Sequence, residues 1–206
     1  FGISVDREKL PTRTDKAVTH HTLSELYKEI DSYIRKHGNG VEHLTSGRFG
    51  RSYTKDQAED ILSFLTIGCV DSEELTKALV SKFGDQVTSL PFYEPEQKLL
   101  QPYLFNNEHL VMSINNRAGI PQAFSGRCSV KLEEDTRMNH PKYIHTKGFE
   151  SVKKHTLFLF DAAKEHIKKS HNVRIVEGAF DAISMHVYGY RNTVAILGST
   201  VQQEAI

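Results

Sequence analysis

Cysteine is scarce in this chain of 206 residues, which has only Cys69 and Cys128. Two cysteines exclude a four-cysteine zinc site and argue against a disulfide framework. The eleven histidines show no HExxH spacing and no other pattern of metal ligands. We therefore expect two reduced thiols, as is usual in a cytoplasmic protein.

Long apolar runs are missing as well. No stretch of eighteen apolar residues occurs, so no transmembrane helix and no membrane partner are expected. The first residues, "FGISVDREKL", have no basic end followed by an apolar stretch, which argues against a secretory signal. They also lack an initiator Met, and the last residues, "VQQEAI", look like a helix that has only begun. We expect an excised fragment of a longer protein.

The charge of the chain is zero overall but unevenly distributed. Residues 1–116 carry 13 Lys and Arg against 17 Asp and Glu, whereas residues 117–154 carry 8 against 4. The second segment is therefore a basic island, which is typical either of a phosphate-binding surface or of an ordinary solvated one.

The first half of the chain is predicted to be helical. Three segments open with a capping pair and close on a glycine: Thr22 and Glu25 to Gly38, Thr54 and Gln57 to Gly68, and Asp71 and Glu74 to Gly84. Between the first two lies the glycine-broken loop "TSGRFGRS", whose Arg48 and Arg51 either contact a phosphate backbone or lie on a plain surface. The second interpretation is favoured, because no regular phosphate-loop pattern is present.

The middle of the chain changes character. Val111 to Ile114, a turn over residues 115–119 and a return over residues 120–130 predict a β-hairpin. The next stretch, "EEDTRMNHPKYIHTKGFESVKKHT", is polar and is predicted to be irregular. Long irregular loops inside a compact domain are usually functional, so we expect a functional role for this segment. "LFLFDAAKEHIKKSHN" then predicts a buried turn and a helix.

Near the end of the sequence, three segments predict a strand, a helix and a second strand: "VRIVEG", "AFDAISMHVYGY" and "TVAILGST". So short a succession implies a parallel strand pair with a right-handed crossover. Glu177 then lies at the carboxyl end of the first strand, beside the turn at Gly198 that follows the second. Gly178 permits a sharp backbone turn, and Asp181 falls in the first turn of the helix.

Two carboxylates at a strand end allow two interpretations. Glu177 and Asp181 provide hard oxygen ligands of the kind that Mg²⁺ takes together with substrate phosphates. Alternatively, Asp181 simply complements the dipole at the start of its helix. Composition and spacing alone leave both open.

A resemblance to a known family adds weight to the first interpretation. "VEGAFDAISMHVYGYRNTVAILGST" resembles the first half of a Toprim domain, with its Glu-Gly, its Asp four residues after the Glu, and its Gly-Ser/Thr turn. The preceding "INNRAGIPQAFSGR", "HPKYIHT" and "FESVKKHTLFLFDAAK" resemble the polymerase core of bacterial, DnaG-type primases. The hairpin departs from the family in having "FSGR" where a more glycine-rich version is usual. The specific resemblance covers about residues 110–206.

The resemblance implies an α+β fold in which a helical and small β N-terminal subdomain precedes the first β-α-β part of a truncated Toprim α/β domain. The implied division is a helical subdomain at residues 1–90, a basic mixed α/β subdomain at 91–160 and the first half of the Toprim domain at 161–206. The later Asp-x-Asp motif of Toprim domains would lie beyond Ile206, so this fragment is expected to be inactive alone.

The resemblance also implies the chemistry: Mg²⁺-dependent (or Mn²⁺-dependent) synthesis of short RNA primers from nucleoside triphosphates on a single-stranded DNA template. It implies that Glu177 ligates the metal and takes part in catalysis together with Asp181. The residues implied to bind nucleotide or template are Arg127, Lys142, Lys153, Gly178 and Gly198. A replicative helicase is expected to bind regions outside this chain.

Two other functions stay open at this point. One is another Toprim enzyme, such as a nuclease or a topoisomerase-like protein. The other is a non-catalytic nucleic-acid-binding module of the replisome that keeps only the shape.

Overall fold

The computed structural model describes residues 13–134 and 140–197, with side chains described from residue 22 onward. In chain order, the α-helices and strands are α1 (Arg13–His37), α2 (Gly40–Thr45), α3 (Lys55–Phe64), β1 (Ile67–Gly68), α4 (Ser72–Phe83), β2 (Tyr93–Glu94), β3 (Leu99–Leu100), β4 (His109–Asn115), β5 (Pro121–Cys128), α5 (Val130–Glu133), β6 (Tyr143–His145), α6 (Phe149–Lys153), α7 (Phe160–Ser170), β7 (Arg174–Val176), α8 (Ala179–Val187) and β8 (Thr193–Ala195). A 3-10 helix (Gly84–Ser89) follows α4. None of the helices in this part of the chain has the length and apolar character that a membrane span needs.

The strands form three separate sheets. An antiparallel sheet has the order β1-β4-β5-β6, a small antiparallel ribbon joins β2 to β3, and a parallel pair joins β7 to β8. Helices and strands are thus partly segregated along the chain, which confirms the expected α+β class.

The sequence signals for helix ends are mostly confirmed. Thr54 caps α3 by a reciprocal box, in which its hydroxyl accepts from the Gln57 amide and the Gln57 side chain accepts from the Thr54 amide. The carboxylate of Asp71 accepts from the amides of Glu73 and Glu74 at the start of α4. That helix ends at Gly84, whose φ of 57° few other residues adopt at low cost.

Two helix boundaries differ from the prediction. Helix α1 begins at Arg13, so Thr22 lies inside it and does not start it; no proline or glycine interrupts residues 13–21. Helix α3 ends at Phe64 and not at Gly68. The residues after it are extended, because Ile67 and Gly68 pair with β4 instead of continuing the helix.

A glycine contact fixes the junction between α1 and β1. A Cβ on Gly68 would lie 2.7 Å from the Cα of Gly38 and 2.6 Å from its carbonyl oxygen. No side chain fits at that distance, so the backbones touch directly. The Cys69 amide donates to the Gly38 carbonyl at 2.8 Å, and this hydrogen bond holds the two backbone segments together.

The predicted hairpin is confirmed, with β4 and β5 paired from His109 opposite Cys128 to Asn115 opposite Pro121. The prediction of an irregular stretch after it is wrong in part. That stretch contains β6, whose Tyr143 and His145 lie opposite Arg127 and Ser125, and the short helix α6. Three residues in a polar segment give too short a pattern to be recognised as a strand.

Strand β4 is buried on both faces. Leu110, Met112 and Ile114 belong to a core that also contains Ala179, Phe180 and Ile183 of α8. Val111, on the other face, belongs to a second core with α1 residues Leu26, Ile30 and Ile34. The alternation follows from the two-residue period of a strand, and it places α8 and α1 on opposite sides of one sheet.

The strand–helix–strand unit is confirmed. β7 and β8 are parallel, in the register Arg174–Thr193, Ile175–Val194 and Val176–Ala195. On its other side β8 forms a bridge between Ala195 and Phe158, with hydrogen bonds of 2.8 and 3.1 Å. The unit is thereby joined to the chain that precedes α7.

Candidate functional site

A cleft of about 660 Å³ separates the hairpin sheet from the start of α8. Its walls come from distant parts of the chain: the loop before α3, strands β5 and β6 with the residue before β6, the turn between β7 and α8 with the first turn of α8, and Leu197 after β8. The lining residues are Phe49, Gly50, Arg51, Arg127, Lys142, Tyr143, His145, Glu177, Gly178, Ala179, Phe180, Asp181 and Leu197.

The acidic wall of the cleft contains Glu177 and Asp181. Both are exposed, and within the described residues the Glu177 carboxylate has no hydrogen bond. A Cβ at Gly178 would lie 2.8 Å from Oδ2 of Asp181, so a side chain there would require the exposed Asp181 carboxylate to move. The Asp181 amide donates to the Gly178 carbonyl at 3.1 Å. The turn therefore holds both carboxylates at the same end of the cleft.

Arg51 reaches this wall from the loop before α3. Its guanidinium forms an ion pair with Asp181 and donates to Oγ of Ser184, one turn further along α8, at 3.2 Å. The Tyr53 hydroxyl lies 3.0 Å from the same Oγ, and burial raises the pKa of Tyr53, so this group is an uncharged phenol at neutral pH. Arg51 is thus held against α8 by two side chains.

The opposite wall contains Arg127 of β5, which is only 5% exposed. Its Nη1 donates to the carbonyl oxygens of Cys128 and Lys142 at 3.1 and 3.4 Å. The guanidinium also lies 5.6 Å from the centroid of the Tyr143 ring, in cation–π range. A buried cation needs such contacts together with a counter-charge.

Glu133, at the end of α5, provides the counter-charge. Its Oε2 accepts from Nη2 of Arg127 at 2.6 Å, and its Oε1 lies 3.8 Å from Nζ of Lys142. The hydrogen bond from Arg127 holds the pKa of Glu133 below its usual value, although burial opposes this. One carboxylate is therefore shared by the two cations of this wall.

The floor of the cleft is aromatic. Tyr143 and His145 are two residues apart on β6 and so lie on the same face of the strand. Burial raises the pKa of Tyr143 and lowers the pKa of His145 to about 4. Both rings are uncharged at neutral pH, so the floor differs in character from the charged walls.

The structure brings together most of the residues that the sequence analysis singled out. Arg127, Lys142, Glu177, Gly178 and Asp181 all line the cleft. Lys153 is not among the lining residues, and its ammonium lies 3.2 Å from Glu150. Gly198 lies outside the described residues.

Sequence reasoning missed several lining residues, among them Arg51 and His145. The partner of Arg51, Asp181, is 130 positions away, so no local pattern reveals that pair. His145 lies within the basic segment at residues 117–154, and the charge of that segment does not distinguish it. The signal that could have found it is its two-residue spacing from Tyr143 in "YIH", which is typical of a strand face.

A divalent cation of the Mg²⁺ type requires several oxygen ligands. No group of three or more His, Cys, Asp and Glu residues that could hold a metal occurs in residues 22–134 and 140–197. The cleft provides two carboxylates, Glu177 and Asp181, of which Asp181 is already paired with Arg51. One or two carboxylates completed by phosphate oxygens and water suit Mg²⁺, which often binds in this way.

Known proteins with similar sequences include DNA primases. A family model described as Toprim-like matches residues 174–206. A DNA primase of Thermotoga maritima is 30% identical over 88% of this chain and 28% of its own length. A DNA primase of Listeria innocua is 33% identical over 97% of this chain and 31% of its own length. The chain thus spans less than a third of these curated relatives.

Solved structures share the fold. The Aquifex aeolicus primase (zinc-binding and RNA polymerase domains) superposes with a TM-score of 0.68 at 23% identity, over 98% of this chain and 46% of that one. A DnaG primase catalytic domain bound to single-stranded DNA superposes with a TM-score of 0.64 at 18% identity, over 92% of this chain and 59% of that one. The α+β arrangement described above is therefore shared with these structures.

Proposed function

We propose that this chain, which corresponds in sequence and fold to part of the catalytic core of bacterial, DnaG-type DNA primases, contributes the nucleotide site to an enzyme that synthesises RNA primers on single-stranded DNA. The observation that carries the proposal is the meeting of two carboxylates with three cations, Arg51, Arg127 and Lys142, around one cleft. The relatives named as DNA primases favour this function over a nuclease or a scaffold. The division at residues 90 and 160 remains a prediction.

The residues of the cleft suit nucleotidyl transfer. Glu177, exposed and not hydrogen-bonded within the described residues, would hold a divalent cation with help from Asp181. Such a cation would bind triphosphate oxygens and stabilise the charge that develops on them during transfer. Arg127 and Arg51 bring guanidinium charge to the cleft for a phosphate, and Lys142 acts as a mobile point charge.

The template is proposed to be held by the same positive charge. Lysine and arginine neutralise phosphates without reading sequence, so binding should weaken as salt rises. One solved relative is described as bound to single-stranded DNA, which supports a template of that class. Lys153 belongs to this proposal as a contact at the edge of the site, outside the cleft lining.

The test is Glu177→Gln in the full-length protein, which removes the charge and keeps the size of the side chain. Primer synthesis should fall by about a hundredfold to a thousandfold, the scale on which single charge-stabilising groups act, while the affinity for single-stranded DNA stays within about twofold. Glu165→Gln is the matched control, because Glu165 is also exposed but lies on α7, away from the cleft. Primer yields that match in the two variants would refute the role of Glu177.

A further inference from the structure

His145 lies between the hydrophobic core and the cleft. Its ring stacks on Phe149, with 3.9 Å between centroids and 10° between planes. Phe149 is 3% exposed, belongs to the core and does not line the cleft. Phe149 therefore covers one side of the imidazole, and His145 also lines the cleft.

Nothing polar in the described residues holds this ring. Its Nδ1 is buried without a hydrogen-bond partner in the part of the chain that the structure describes. Burial lowers the pKa of His145 to about 4, so the imidazole carries no charge at neutral pH. The position of the ring is set by stacking and by strand β6, whose register with β5 places His145 opposite Ser125.

An uncharged ring cannot neutralise a phosphate, and the cleft already has cations for that purpose. What the ring offers is a flat surface next to them. On the same strand face lies Tyr143, whose ring is in cation–π range of the Arg127 guanidinium. Two aromatic side chains thus line the cleft side by side, and each of them contacts a further group, Arg127 or Phe149.

We propose that the base of the nucleoside triphosphate stacks on the His145 ring. The base would then be the third member of the stack that Phe149 and His145 already form. The inference rests on the proposed function, and it adds a base-binding subsite to the phosphate-binding wall. Stacking accepts any base, because every base has a π-face. The subsite therefore increases affinity without selecting among the four nucleotides.

The experiment compares two ligands that share phosphates and differ in the base. Binding of ATP and of inorganic tripolyphosphate, each with Mg²⁺, is measured by calorimetry on the full-length protein and on three variants. His145→Ala should weaken ATP binding by about fivefold to tenfold, at the lower end of the range for base stacking on an aromatic side chain, and leave tripolyphosphate binding unchanged. His145→Phe should keep the affinity for both ligands, since it keeps the stacked ring. His155→Ala is the control, because His155 is exposed and outside the cleft lining.

Each outcome bears on the inference. Equal losses for ATP and tripolyphosphate in His145→Ala would show a role that has nothing to do with the base, and the inference would fall. An unchanged ATP affinity in His145→Ala would also contradict the inference. If His145→Ala does not fold, the ATP affinity of the folded His145→Phe variant tests the inference instead. Loss of ATP binding in that variant would overturn the stacking role. A wild-type protein that binds neither ligand contradicts the proposed function itself, whereas wild-type binding of both ligands with equal affinity overturns only the base subsite.

Discussion

Arg51 and Asp181, which are 130 positions apart in the chain, form an ion pair at the mouth of the cleft. The pair joins the loop before α3 to the first turn of α8. It also places the Arg51 guanidinium beside the acidic wall of the cleft, where phosphate oxygens and a divalent ion are proposed to bind. Its two side chains are 43% and 51% exposed, so solvent screens it and its contribution to stability is small.

Arg51→Ala is therefore expected to change binding more than stability. The free energy of unfolding should stay within about 1 kcal/mol of wild type, as for other exposed pairs. The affinity for tripolyphosphate should fall by about tenfold, since a charge-assisted hydrogen bond is lost. Arg48→Ala is the matched control, because Arg48 forms a similarly exposed pair with Glu108 outside the cleft lining. Similar affinities in the two variants would remove Arg51 from the site.

Glu133→Gln should strengthen polyphosphate binding. The carboxylate offsets part of the positive charge of Arg127 and Lys142, and its removal leaves both cations free for the ligand. Arg127 keeps its bonds to the Cys128 and Lys142 carbonyls, so it stays in place. The unliganded variant should lose about 1–2 kcal/mol of stability, because a charged hydrogen bond becomes a weaker one. The checks are titration calorimetry and urea unfolding with and without tripolyphosphate.

The control for this variant is Glu150→Gln, which removes the carboxylate beside Lys153 at a position that does not line the cleft. That change should leave polyphosphate affinity unaltered. If Glu133→Gln binds polyphosphate more weakly than wild type, the carboxylate serves to position Arg127 and not to compete with the ligand.

His145 makes stability depend on pH. Its pKa in the folded chain is about 4, lowered mainly by burial from the usual 6.5. Between those two values the unfolded chain binds more protons than the folded one, so stability rises with pH in this window and is lost as pH falls. His145→Phe should make the dependence shallower by up to about 1.4 kcal/mol per pH unit. Urea unfolding at pH 7, 6 and 5 measures this, and parallel curves for variant and wild type would contradict it.

The sequence predicted the parts of the site that are local. Glu177, Gly178 and Asp181 lie within five positions, and a strand, a glycine and a helix start fix their relation. The capping box at Thr54 is equally local and is present. Short-range signals of this kind depend on backbone geometry and hydrogen bonds that neighbouring residues largely determine.

The parts that could not be predicted depend on contacts between distant residues. Strands β1 and β6, of two and three residues, exist because each pairs with a strand of the hairpin. Their own sequences are too short to show a period of two. The approach of Arg51 to Asp181 likewise follows from how α3 packs on α8. Asp60 of α3 also pairs with Arg191, which lies in the turn between α8 and β8. Tertiary pairing of this kind overrides local propensity.

Strand β4 contributes alternate side chains to two cores, one that includes α8 and one that includes α1. Unfolding of this strand would expose both cores, because each would lose the side chains that the strand contributes. The helical half and the half that contains the acidic wall should therefore denature together, as a single calorimetric transition in which the enthalpies from heat capacity and from the van't Hoff slope agree.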